Sequence, residues 1–259
     1  MKFSFGLILA TVAVFTSGCA TVPQKPVALS PTMVNPQAGR IGVGMTALPK
    51  LDTQLPGAGC LLCLMAATAA TSGITTHAGT LPYEDLPNLK NEIADLLRKK
   101  GADVVVIAEN LDVGALSNSA SKEPNVARKD FSPLRQKYKV DKLLIIEIKE
   151  LGFTRSYSAY FPTSDPKGLL NAVGYIVNLT NNTYDWYLPV SISKSADQNW
   201  DEPPKYPGLT NAYFQTLEIG RDAFLRPFAD APVAAKPKAV ESPAKPISAS
   251  EPPTLSANK

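Results

Sequence analysis

The sequence predicts an α/β (α+β) fold: a mixed sheet of about five strands with three helices, flanked by disordered tails. Three observations predict it. Between positions 39 and 138 apolar runs of strand length alternate with helical patterns, the order of a parallel crossover unit. Between 142 and 193 strands follow one another directly, as in an antiparallel meander. Proline is densest at the two ends, where ten of the 23 fall in residues 20–38 and 229–259 and no hydrophobic period is sustained.

Taken in order, residues 39–48, GRIGVGMTAL, read as the first strand. Gly42-Val43-Gly44-Met45-Thr46-Ala47 has the letters of a dinucleotide fingerprint, but Pro49 stands where the helix must begin and no acidic ribose ligand follows a second strand. Residues 53–83 carry no charge, and their centre, 57–71, GAGCLLCLMAATAAT, is too short to span a bilayer. Three readings of it stand: an insertion packed on the domain, an oligomer or partner contact, and a loop dipping into the bilayer. Residues 85–101 are the clearest helix, with Leu86, Leu89, Ile93, Leu96 and Leu97 on one face, Asp85 as cap, Pro87 in the first turn and Gly101 at the close.

Residues 103–108, DVVVIA, form a buried strand, and 109–129 a long polar loop with one turn near 111–116. A short helix covers 131–138, with Ser132 as cap and Pro133 at its first position. Residues 142–149 begin a strand that continues towards 160. Residues 169–179 and 183–193 then form a hairpin around Thr180-Asn181-Asn182. Tyr184, Trp186, Leu188, Val190 and Ile192 alternate onto one apolar face, and Pro189, lacking an N–H, places that strand at an edge. A proline-rich turn at 201–207 leads to a helix over 209–224 with Leu209, Tyr213, Leu217, Gly220 and Phe224 in one stripe. Ala212, Thr216 and Gly220 let that helix approach the sheet closely, and residues 229–259 are expected to be disordered.

Residues 1–18 have the layout of a signal peptide: Lys2, an apolar run over 3–15, then Thr16-Ser17-Gly18 directly before Cys19. This junction resembles a bacterial lipobox. The resemblance implies cleavage before Cys19, a diacylglycerol on its sulfur and acylation, typically palmitate, of the new amino terminus. Ala20 implies sorting to the outer membrane. The chain thus divides into a signal peptide (1–18), a lipidated extended tether (19–38), one mixed domain (39–228) with an apolar insertion (53–83), and a Pro/Ala/Lys-rich tail (229–259).

The net charge of +3 falls to +2 without Lys2, too balanced to imply nucleic acid. With a single histidine, His77, read as a plain loop residue, a multi-histidine metal site is excluded, and no catalytic constellation is seen. Cys60 and Cys63 form Cys-Leu-Leu-Cys. A local disulfide, buried free thiols and a redox pair are the alternatives. A redox motif of the thioredoxin type is expected at a helix start after a strand. Here Gly-Ala-Gly precedes, Leu-Met-Ala-Ala follows and no basic residue is adjacent. Aromatic residues crowd positions 153–214, and among them Arg155, Tyr157, Tyr160 and Phe161 are the candidate partner-binding residues.

Two stretches carry a wider likeness. Val140-Asp141-Lys142-Leu143-Leu144-Ile145-Ile146 and the hairpin Val177-Asn178-Leu179-Thr180-Asn181-Asn182-Thr183-Tyr184-Asp185-Trp186 resemble the amino-terminal domain of the Tol-system propeller protein and the soluble domain of the curli-secretion lipoprotein. The resemblance covers residues 40–228 and implies an envelope lipoprotein with a mixed sheet. No pair of roughly 10-residue alternating segments builds a membrane barrel, so a pore is not expected. The expected function is a non-catalytic, outer-membrane-anchored periplasmic lipoprotein that binds another envelope protein or its own copies, with no cofactor beyond the covalent lipid. Two alternatives are a ligand-binding protein or enzyme with a cleft near 153–168, and a peptidoglycan-associated or synthase-regulating role through the tail.

Overall fold

The computed structural model describes residues 23–34, 36–202 and 205–230. The signal segment, Cys19 and the tail from 231 lie outside them. The main sheet contains β1 (Ile41–Met45), β2 (Asp52–Gln54), β3 (Val104–Val106), β4 (Lys142–Thr154), β7 (Lys167–Asn178) and β8 (Thr183–Ser195). Its order is β3-β1-β4-β7-β8, with β2 also paired to β4. β3, β1 and β4 run parallel, as do β2 and β4, while β4, β7 and β8 form the antiparallel meander. A separate ribbon pairs β5 (Tyr157–Ser158) with β6 (Phe161–Pro162).

The long strands bury both faces at one end, so β4 reads as an almost unbroken apolar run. One face carries α2 (Ser72–Ala78), α3 (Leu89–Lys99) and α5 (Pro207–Asp230). The predicted stripe of α5 is buried along its whole length and continues to Phe228. Close approach is literal at Gly168, where a Cβ would lie 2.6 Å from Thr216 Oγ1 and 2.7 Å from the Ala212 carbonyl oxygen. The other face is covered at the hairpin end by residues of the 107–131 loop, Phe131 and α4 (Ser132–Tyr138). That loop is pinned by Asn182, whose Nδ2 donates to the Ala127 and Lys129 carbonyls and whose Oδ1 accepts from the Phe131 N–H.

The fold class is the expected one, with several corrections. Five helices form, because the uncharged stretch 53–83 contains α1 (Leu61–Ala70) and α2 as well as part of β2. The helix after Asp85 starts with a 3-10 turn, Leu86–Asn88, and Asp85 gives no side-chain cap. Likewise Phe131, not Ser132, is the cap residue of α4. The tether is not extended over its length: Val27 exchanges both backbone hydrogen bonds with Tyr187 on the β8 edge, and Pro31–Val34 and Pro36–Ala38 are 3-10 turns that bury Val34 and Ala38. Apolar side chains in this segment have a hydrophobic surface to cover, which outweighs the freedom that proline-rich composition suggests.

β8 also departs from strict alternation. Its pairing steps from Ile176↔Trp186 to Val177↔Tyr184, leaving Asp185 as an extra residue. This bulge turns Tyr184 to the face opposite Trp186, where it joins Tyr175 and Tyr187. Burial raises the Tyr175 phenol, helped by the Glu147 charge, and burial pushes Tyr184 up to about 12. Asp185 meets Lys142, whose ammonium also lies 3.2 Å from Met33 Sδ.

Candidate functional site

The site is built at the end of the sheet where β2 pairs with Gly152–Thr154 of β4. Beyond β2 the chain turns through Leu55-Pro56-Gly57-Ala58-Gly59 and enters α1 with Cys60 as its N-cap. Gly57 makes the turn possible, because its φ is +88° and a Cβ there would lie 1.9 Å from the Tyr157 carbonyl oxygen. The Tyr157 N–H in turn donates to the Pro56 carbonyl at 2.8 Å. This close backbone passage fixes the β5–β6 ribbon beside the start of α1.

α1 is apolar on nearly all sides, but it lies against the domain with one side only. Cys63 and Ala67, one turn apart, face inward with Ala58 and Tyr157. Leu61, Leu62, Leu64 and Met65 are left exposed, Leu61 by 76%, and the ribbon adds exposed Tyr160 and Phe161, the latter by 75%. Singly exposed apolar residues are ordinary, whereas here six of them lie on one helix and the ribbon beside it. Cys60 and Cys63 are joined by a disulfide, with Cys60 exposed and Cys63 buried. The Cys60 sulfur accepts the Cys63 N–H at 2.9 Å and lies 3.8 Å from the Tyr160 hydroxyl.

Tyr160 and Phe161 therefore share the surface with α1. Tyr157 does not: it is 6% exposed, and its hydroxyl has no hydrogen-bond partner among the described residues. As the first residue of a tight ribbon its side chain must take one face, and that face is closed by α1. Arg155 is half-buried, donating from Nε to the Ser164 carbonyl and holding its guanidinium 5.2 Å from the Trp200 ring. It braces the loop below the ribbon. The exposed leucines were not singled out in sequence, though Cys-x-x-Cys at one-turn spacing before an apolar run was a usable helix-start signal.

An open groove of about 810 Å³ runs beside α1, with Gln54, Leu64, Thr68, Thr154 and Asn171 among its lining residues. It takes only Thr154 from the stretch 153–168, whose remainder is occupied by the ribbon. In this groove Glu150 accepts a hydrogen bond from Asn171, and Asn171 accepts one from Ser191. Among the described residues no group of three or more His, Cys, Asp or Glu could hold a metal ion. No single described helix is long and apolar enough to cross a membrane, and α1 and α2, which pass together by length and composition, bend by 65°.

His77 is helical rather than a loop residue: Ile74 and Ala78 bury α2, and the imidazole follows them inward. Its Nε2 lies 2.7 Å from Thr210 Oγ1, and its ring stacks with Phe153 and tilts against Tyr206. Partial burial, then the nearby Lys205 charge, lowers its pKa below 6.5. A neutral imidazole is thus preferred in the fold, so its contribution is intact above pH 6.5 and is lost as pH falls through that value towards the folded pKa. Urea unfolding of the wild type should show stability falling from pH 7 to 5.5, with a shallower fall in His77→Gln. Equal slopes would remove His77 from this role.

The site also has a fixed position relative to the N-terminus. Tyr187, which holds Val27, pairs with Tyr175 and so lies level with Ile145, whereas β2 and α1 join β4 around Phe153. At about 3.3 Å per residue the two levels are roughly 25 Å apart. Gln24 sits further from α1 still, donating to Asn125 beside the hairpin.

No protein-family model matches the chain, and no curated protein matches it. Solved structures similar to it include the PelC dodecamer from Paraburkholderia phytofirmans, 10% identical over 79% of this chain and 94% of that one, with a TM-score of 0.30. Protein XCC0632 from Xanthomonas campestris is 10% identical over 78% and 89%, with a TM-score of 0.31. The lipoprotein GNA1162 from Neisseria meningitidis is 15% identical over 70% and 95%, with a TM-score of 0.25. At these identities and scores the likenesses carry no argument about activity or assembly.

Proposed function

We propose that the chain is a periplasmic lipoprotein anchored in the outer membrane through Cys19, and that it works by binding an envelope polypeptide, another protein or a second copy, through the exposed face of α1 and the β5–β6 ribbon. One observation carries the reading. The apolar surface faces away from the end at which the chain enters the domain. Only three residues lie between Cys19 and Pro23, a reach of about 14 Å at most. The lipid therefore holds the hairpin end near the bilayer and presents α1 towards the periplasm. This geometry favours a polypeptide contact over insertion of α1 into the same membrane. A second reading, a small ligand, is supported only by the open groove beside Leu64 and Thr68.

Two variants test the proposal. Cys19→Ala should abolish incorporation of labelled palmitate and, because cleavage follows lipidation at that residue, leave the uncleaved precursor to accumulate. Leu62→Asp with Met65→Asp should leave it anchored and folded while abolishing its crosslinks to a defined partner or to itself. Crosslinks that persist in the double variant would locate the contact elsewhere, and palmitate incorporation that survives Cys19→Ala would dismiss lipidation at that residue.

A further inference from the structure

Of the three alternatives for Cys60 and Cys63, the structure contains the bridge, and its surroundings bear on the redox one. β2 precedes it and α1 begins at it, so the strand-to-helix placement that a dithiol motif requires is present after all. The first cysteine is exposed, and the second is 3% exposed. Structural benefit is a weak explanation for such a bridge. Closing so short a loop restricts the unfolded chain only weakly, near the low end for disulfides. Ala58, Ala67 and Tyr157 already hold α1 against the domain.

The surroundings suit thiol chemistry instead. A thiolate on Cys60 would lie at the N-terminus of a ten-residue helix, receive the Cys63 N–H, and have the Tyr160 hydroxyl within 3.8 Å. Opening the bridge would create a thiol on Cys63 in the cluster that also contains Tyr157, whose buried hydroxyl has no partner among the described residues. Leu61, Leu62, Leu64, Met65 and Phe161 place exposed apolar surface around the reactive sulfur.

From this arrangement we infer that Cys60–Cys63 is a thiol–disulfide exchange site for a reduced cysteine pair carried on an apolar polypeptide segment. The inference rests on the reading of the α1 face as a polypeptide-binding surface and adds a covalent step to it. A client thiolate attacks Cys60 Sγ, the Cys60–Cys63 bond breaks, and its electron pair leaves on Cys63, which takes up a proton. The client's second thiolate then attacks the client sulfur of the mixed disulfide and releases Cys60 as a thiolate. The client gains one disulfide, and two electrons pass to the Cys60–Cys63 pair. Reversal against a disulfide of higher potential restores the bridge.

The test uses the full chain with Cys19→Ala, so that Cys60 and Cys63 are its remaining cysteines. A reduced two-cysteine peptide with leucine and phenylalanine flanks is the probe, and formation of its disulfide is followed by mass. The chain should oxidise it about tenfold or more faster than an equal concentration of glutathione disulfide. Leu62→Asp with Met65→Asp should reduce that advantage about tenfold. After reduction, alkylation of Cys60 in a Cys63→Ala chain should titrate clearly below the ordinary thiol value of about 8.5. A rate no greater than that of glutathione disulfide, a rate indifferent to the acidic rim, or an ordinary alkylation profile would each overturn the inference. The assay needs neither membrane nor envelope partner, so its failure leaves the crosslinking result standing, and crosslinks that persist in the double variant leave the peptide exchange rate standing.

Discussion

Asp185→Ala should destabilise the domain by about 2 to 3 kcal/mol, because it leaves the Lys142 ammonium unpaired in a largely buried site. The two side chains are only 10% and 17% exposed. Lys142 is bracketed by Met33, which offers a thioether in place of a counter-charge. Lys194 and Asp197 give the comparison, since they form an ion pair at 36% and 56% exposure. Asp197→Ala should cost less than about 1 kcal/mol. Replacing both members of the buried pair, with Lys142→Met and Asp185→Leu, should recover much of the loss, since the expense lies in the unpaired charge. Urea unfolding at pH 7 measures all three. If Asp185→Ala behaves like Asp197→Ala, the bulge is not closed around an ion pair.

The second large effect is expected at Gly57. Alanine there would have to hold φ near +88° while its Cβ overlapped the Tyr157 carbonyl, so we expect a cost of about 2 to 4 kcal/mol. The turn and ribbon must separate to relieve it. Hydrogen exchange should accelerate across residues 55–70 and 157–162, with the α5 core still protected, and thiol exchange at Cys60 should lose its apolar rim at Tyr160 and Phe161. Gly59→Ala is the control, since a Cβ at that position meets nothing within 4 Å. Equal protection patterns in the two variants would mean that the ribbon is not strapped to α1 through Gly57.

The parts of the fold legible in sequence are those where one physical signal dominates. Leu89, Ile93 and Leu97 repeat at helical spacing and are fully buried in α3. Pro189 marks β8 as an edge because a missing donor is a local property of one residue. The Asp185 bulge could not be read this way. Alternation continues through Tyr184 and Trp186 on paper, and only pairing with β7 reveals the extra residue. α1 was obscure for the opposite reason: a segment apolar all round has no periodicity to show which side is covered. Tyr157, Tyr160 and Phe161 look alike in sequence, and the tight ribbon separates one buried ring from two exposed ones. The proline-rich segment before β1 reads as a free tether, while the side chains of Val34, Ala38 and Leu29 pack on the core and the Val27 backbone bonds to Tyr187.

The contact between Val27 and Tyr187 also orders events in time. It joins positions 160 residues apart, so this contact cannot form until β8 exists and has paired. Contacts of such sequence separation form late, after the loop entropy of the intervening chain has been overcome by other structure. In the proposed lipoprotein, the chain would begin on a long leash and shorten it late in folding, and the distance between the lipid at Cys19 and the domain would report whether the sheet has been completed.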